Sequence, residues 1–71
     1  LEVLAERETV RCLERALQRL TLTDRESVLL VAAAGLTPAE AAGVQGIRPE
    51  AFRQRLARAR ARLAELLRSM A

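Results

Sequence analysis

Hydrophobic residues recur every three or four positions along most of the chain, which is the period of an amphipathic α-helix. In the first segment the apolar positions are Val3, Val10, Leu13, Leu17 and Leu20. The last segment carries the longest stripe, in which spacings of four and three alternate: Phe52, Leu56, Ala59, Leu63, Leu66 and Met70. No segment has the alternating pattern of a half-buried strand. The pattern therefore predicts an all-α domain.

Capping signals divide this pattern into separate helices. Thr23–Glu26 and Thr37–Glu40 have the spacing of a capping box, in which a threonine hydroxyl and a glutamate carboxylate bind each other's backbone amides. Pro49 suits the first turn of a helix, whereas Gly35 and Gly46 suit helix ends. We predict one domain, residues 1–71, with helices at about 2–20, 24–34, 38–45 and 49–69.

The second half of the chain has the order of a helix-turn-helix. A short capped helix is followed by a turn at Gly46 and by a long helix that starts at Pro49. With the stripe around Phe52 turned to the core, the outward surface near the start of the long helix comprises Glu50, Ala51, Gln54, Arg55 and Arg58. We predict a small four-helix domain whose long C-terminal helix is a recognition helix.

Charge is unevenly distributed along the chain. The 71 residues include 12 basic residues, all arginine, and 9 acidic residues, for a net charge of +3. Seven of the arginines lie from Gly46 onward with only two acids, while the preceding part has five arginines and seven acids. A basic C-terminal half is typical of a protein that binds phosphates.

Composition excludes several kinds of site. One cysteine, Cys12, and no histidine leave no internal disulfide and no zinc site, and a reducing cytoplasm is the simplest compartment. No apolar run has the length of a membrane span, and no signal peptide is visible. Without histidine or a glycine-rich phosphate loop we expect no enzyme and no cofactor. Because the chain begins at Leu1, we expect it to be part of a longer protein.

Several segments resemble region four of bacterial sigma factors, and the closest type is the extracytoplasmic-function class. The resemblance covers about residues 13 to 67 and is carried by DRESVLL (24–30), GLTPAEAA (35–42), Gly46-Ile47 and RQRLARARARL (53–63). It implies a domain that binds the minus-35 element of double-stranded promoter DNA through its last helix. It also implies docking of the first helices on the β flap of RNA polymerase, and masking by an anti-sigma factor.

The resemblance also implies residue roles. The base-reading residues would be Glu50, Ala51, Gln54 and Arg55, and the phosphate-binding residues Arg53, Arg58, Arg48 and Thr37. Two departures from the family pattern affect helix starts. Family members often have Leu-Pro just before the segment that starts at Asp24, where this chain has Leu22-Thr23. Thr23 would start the second helix as its cap in place of the proline. Arg48 stands where a small polar cap is usual, which weakens the start of the recognition helix by up to roughly 1 kcal/mol.

Two alternatives remain open from the residues alone. A DNA-binding output domain of the LuxR type shares the Thr-x-x-Glu start and the four-helix layout, but it lacks the arginine-rich run and usually dimerises through its last helix. The chain could instead be a sigma-like interaction module that binds an anti-sigma factor and no DNA. In that case the apolar faces of the first two helices would carry the function.

Overall fold

Four helices form the chain in the computed structural model, which describes residues 2–70 and the side chains of residues 6–70. They are α1 (Glu2–Arg19), α2 (Leu22–Ala32), α3 (Pro38–Gln45) and α4 (Pro49–Met70). Residues 2–70 contain no strand. The prediction of a small all-α domain is confirmed. Leu1, Ala71 and the side chain of Val3, which the sequence pattern placed in the stripe of the first helix, lie outside the described part.

The long helix α4 is the centre of the fold, because α1, α2 and α3 all pack against it. Its apolar stripe faces the other helices: Phe52, Leu56, Ala59 and Leu66 are buried, and Leu63 and Met70 are partly buried. Helices α2 and α3 also contact each other. The start of α4 is therefore held by α2 and α3 together, as a helix-turn-helix requires.

The core is made of small aliphatic side chains around a single ring. Phe52 is completely buried and is the largest side chain with no exposed surface. Alanine supplies four of the buried apolar positions, namely Ala16, Ala41, Ala42 and Ala59. Side chains this short allow helix axes to approach closely, but each one removes little apolar surface from water. Most of the burial that stabilises the domain therefore depends on Phe52 and a few leucines.

Helix α2 begins earlier than the sequence predicts, and the proposed capping box at Thr23–Glu26 is wrong. Thr21 is the N-cap: its Oγ1 accepts a hydrogen bond from the amide of Asp24 at 3.2 Å. Thr23 lies inside the helix, where its carbonyl accepts the hydroxyl of Ser27 at 2.9 Å. The helix includes Leu22 and Thr23 because the hydroxyl of Thr21 satisfies a free amide of its first turn.

Helix α2 also ends at Ala32, two residues before its predicted end. The amides of Ala33 and Ala34 both donate to the carbonyl of Leu29, at 2.9 and 3.0 Å, which tightens the last turn. Gly35 then takes a positive φ of 71°.

Among residues 2–70, no helix combines the length and the hydrophobicity that a membrane span needs.

Candidate nucleic-acid interface

Helix α3 starts with the capping box that the sequence predicts. The Thr37 hydroxyl accepts the amide of Glu40 at 3.2 Å, and the Glu40 carboxylate accepts the amide of Thr37 at 2.9 Å. The backbone bond from Thr37, followed by the bond to its side chain, lowers the pKa of the Glu40 carboxyl below its ordinary value. Stabilisation by this box is therefore present above the ordinary pKa of a glutamate and is lost as the pH falls through the lowered one.

The turn between α3 and α4 requires glycine at its first residue. Gly46 caps α3 in the left-handed conformation, with φ 68° and ψ 31°, which a residue with a Cβ rarely adopts. The amide of Ile47 then donates to the carbonyl of Ala42 at 3.0 Å. This bond belongs to the usual closure of a helix that ends at a left-handed glycine. It fixes the direction in which the chain leaves α3 and enters the recognition helix.

Helix α4 begins without a side-chain cap. The carbonyl of Arg48 accepts the amide of Phe52 at 3.0 Å, so Arg48 is the residue in the N-cap position. Its guanidinium is exposed and has only donors, so it cannot accept the free amides of the first turn. The sequence-based expectation of a weak start to the recognition helix therefore has a structural basis. The exposed guanidinium of Arg48 can instead bind an anionic ligand.

Replacing Arg48 with serine should separate stability from DNA binding. A serine hydroxyl can accept an amide of the first turn, so the free energy of unfolding should rise by about 1 kcal/mol. Affinity for duplex DNA should fall at the same time, because one cation near the start of α4 is lost. Urea unfolding followed by circular dichroism measures the first effect, and fluorescence anisotropy with a labelled duplex the second. A variant that is more stable and binds DNA equally well would remove Arg48 from the phosphate-binding residues.

The predicted site residues occupy three places in the helix-turn-helix: Thr37 lies at the start of α3, Arg48 lies in the turn before α4, and the others lie in the first turns of α4. Seven of the eight have exposed side chains: Thr37, Arg48, Glu50, Ala51, Arg53, Gln54 and Arg58. Within residues 2–70 the side chains of Arg53, Gln54 and Arg58 have no hydrogen bond or ion pair, so their donors are available to a ligand. At about 100° per residue, Arg53 and Arg58 lie on opposite sides of the strip that Glu50 and Gln54 form.

Most of the arginines of α4 are not neutralised. The one ion pair in the described part of the chain joins Arg62 and Glu65 at 3.5 Å, and both side chains are more than half exposed. A pair of this kind contributes little to stability. Within the described residues the arginines nearer the turn have no acidic partner, and with Glu50 as the one acid of the first turn the start of α4 carries a net positive charge. The arrangement fits a polyanion whose groove accepts a helix.

Arg55 differs from the prediction that placed it on the outward surface. It is half-buried, since it lies only about 60° around the helix from Phe52, on the flank of the apolar stripe. Its Nη1 donates to Oε1 of Gln45 at 2.9 Å. The Gln45 amide in turn donates from Nε2 to Oγ of Ser27, also at 2.9 Å. Arg55 is therefore tied to both α3 and α2.

Sequence analysis did not single out Gln45 or Ser27. Gln45 is the last residue of α3, and Ser27 is the one buried polar residue of the described side chains. A serine within the apolar run of α2 was the only available signal, because a buried hydroxyl needs a partner. The partner is 18 positions away along the chain, so periodicity could not identify it.

The comparisons with known proteins identify the class. The chain matches the family described as sigma-70, region 4 over residues 10–63, which is most of its length. It belongs to that family, whose members are DNA-binding domains of sigma factors and not enzymes. Region 4 of a sigma factor interacts with promoter DNA and with RNA polymerase. No match was found among curated proteins or among solved structures.

Proposed function

We propose that this domain recognises the minus-35 element of promoters as part of a sigma factor of the extracytoplasmic-function type, in the cytoplasm of a bacterium. The observation that carries the proposal is the set of unneutralised arginines around an exposed polar strip at the start of α4. Family membership supplies the partner, promoter DNA. The helix-turn-helix supplies the means of inserting that strip into a major groove.

The chemistry of the exposed strip suggests which bases it reads. The Gln54 amide can pair with the N6 and N7 groups of adenine, and a carboxylate such as Glu50 can accept from the amino group of cytosine. An arginine such as Arg55 pairs best with guanine. Ala51 would offer its methyl group to a thymine methyl. We propose that Arg48, Arg53, Arg58 and Thr37 bind phosphates, which fixes the register of α4 without specifying sequence.

We propose that a second surface, on α2, contacts the β flap of RNA polymerase. A shallow, mainly apolar groove there is lined by Leu22, Arg25, Glu26, Leu29, Leu30, Ala33 and Ala34. Leu22 and Leu29 are 72% and 39% exposed and both line this groove, so they leave an apolar patch on the surface of α2. The buried Nε of Arg25 has no hydrogen-bond partner within the described residues. An anti-sigma factor would compete for the same groove.

Selection from a pool of duplexes with a randomised central segment would test the DNA-binding proposal. The chain should enrich one short sequence. Gln54→Ala should lose the preference at one base pair and Arg55→Ala at another, with a loss of about 1–3 kcal/mol at each. Arg68→Ala, at the far end of α4, is the matched control and should retain the full preference.

The second part of the test is a titration of the domain with a peptide that contains the helix at the tip of the β flap of RNA polymerase. We expect saturable binding, with NMR shift changes confined to α1 and α2. If the domain enriches no duplex but binds the peptide, our proposal is wrong and the chain is a sigma-like interaction module that binds proteins and no DNA. Absence of both would contradict the sigma-factor role as well.

A further inference from the structure

A chain of hydrogen bonds crosses the helix-turn-helix from the recognition helix to α2. Arg55 Nη1 donates to Gln45 Oε1 at 2.9 Å, and Gln45 Nε2 donates to Ser27 Oγ at 2.9 Å. The Ser27 hydroxyl donates in turn to the carbonyl of Thr23 at 2.9 Å. All three bonds run in the same direction, so each donor polarises the next. One residue from each of the three helices takes part through its side chain.

The surroundings of Gln45 permit only one orientation of its amide. Besides the Ser27 hydroxyl, Nε2 lies 3.4 Å from the carbonyl oxygen of Thr23 and 3.4 Å from Oε1 of Glu26. A flipped amide would turn its oxygen toward these two acceptors and its NH2 group toward the guanidinium, which has only donors. The same argument excludes a carboxylate at this position, since it would face a carbonyl and another carboxylate. The site requires a group that accepts on one side and donates on the other.

Burial makes this junction more rigid than a surface contact. Ser27 is completely buried, and Gln45 and Arg55 are both half-buried. The bond to Gln45 is the one hydrogen bond of the Arg55 side chain within the described residues. It engages one N–H group of a guanidinium that has five, so the remaining donors are available to a ligand. Arg55 is thus both anchored and able to bind.

We propose that Gln45 is a positioning residue for sequence recognition: it fixes the guanidinium of Arg55, and through Ser27 it ties that guanidinium to α2. Gln45 itself touches no base. An unanchored arginine samples many rotamers and can satisfy phosphates or different bases, whereas a guanidinium held on one edge presents the other edge in a fixed direction. The inference rests on the proposed DNA-binding function, which it extends to a residue outside the exposed strip.

A double-mutant cycle on duplex binding tests the proposal. Gln45→Met keeps the size of the side chain and removes both hydrogen bonds. Its effect is measured as the ratio of two dissociation constants, one for the enriched duplex and one for the duplex altered at the base pair where Arg55→Ala weakens the preference. We expect Gln45→Met to reduce this ratio about threefold or more, and to have no further effect in the Arg55→Ala background. Gln18→Met, which changes an exposed glutamine on α1, is the matched control.

A measurement without DNA separates positioning from a general loss of stability. In NMR spectra, rotation of the Arg55 guanidinium should be faster in Gln45→Met than in the wild type, while that of Arg53 should not change. If circular dichroism shows that Gln45→Met does not fold, Ser27→Ala takes its place in the cycle under the same criteria.

Two results would overturn the proposal. The first is a Gln45 variant that keeps the full preference ratio, or that lowers it equally with and without Arg55. The second is Arg55→Ala with unchanged preference, since there would then be no reader to position. In the second case the proposed function survives if Gln54→Ala still relaxes the preference at its own base pair. If the wild-type domain enriches no duplex, the proposed DNA-binding function is contradicted, and this inference, which rests on it, is contradicted as well.

Discussion

Replacing Phe52 with alanine is expected to remove a large part of the free energy of unfolding of the domain. The ring is completely buried in the core, and truncation of a buried phenylalanine costs about 3–5 kcal/mol. For 71 residues the whole free energy of unfolding is only about 4–10 kcal/mol. Because several neighbouring core residues are alanines, little apolar surface remains to compensate. Urea unfolding followed by circular dichroism measures the loss.

Controls for this experiment are available in the same helices. Val44→Ala removes an apolar side chain that is 62% exposed and should change stability by less than about 0.5 kcal/mol. Phe52→Leu, which refills part of the space, should be more stable than Phe52→Ala. An alanine variant within about 1 kcal/mol of the wild type would show that the core does not depend on the ring.

The second large effect is expected on removing both arginines that flank the exposed strip of α4. Each phosphate contact that is lost should reduce affinity roughly tenfold at 0.1 M salt, so Arg53→Ala with Arg58→Ala should weaken duplex binding by about 50- to 100-fold. The loss should be nearly equal for all sequences, because phosphate contacts carry no base information. Titrations at several salt concentrations would also show the slope of log K against log salt falling in magnitude by about 2.

Arg68→Ala provides the comparison for these titrations. It removes the same charge from an exposed position in the last turn of α4, about 22 Å along the helix from Arg53. The affinity should change little and the salt slope should stay the same. Equal losses for the distal and the flanking arginines would mean that the net charge of the domain, and not the surface beside the turn, attracts the duplex.

The two kinds of arginine on α4 are expected to behave differently. Arg53 and Arg58 are exposed and unpartnered within the described residues, so their removal should affect affinity and salt dependence. Arg55 is half-buried and bound to Gln45, so its removal should affect sequence preference more than salt dependence. Comparing the two sets of variants in the same assay would divide phosphate binding from base reading.

Local sequence was enough to predict four helices and the class of fold, although it placed the ends of α2 wrongly. Helix periodicity in α1 and α4, the capping box at Thr37 and the left-handed glycine at Gly46 depend on residues within a few positions of one another. Short-range steric and hydrogen-bonding rules decide such features, so they can be predicted before any tertiary contact is known. The stripe around Phe52 likewise indicated which face of α4 is buried.

Packing between the helices, which the local sequence does not show, divides the arginines of α4 into exposed and anchored ones. The start of α2 also differs from the prediction, since Thr21 caps it two residues before Thr23. The contact between Arg55 and Gln45 spans 10 positions, and that between Gln45 and Ser27 spans 18. Contacts over such distances depend on how the helices are placed relative to one another. The periodicity along a single helix gives no information on that placement.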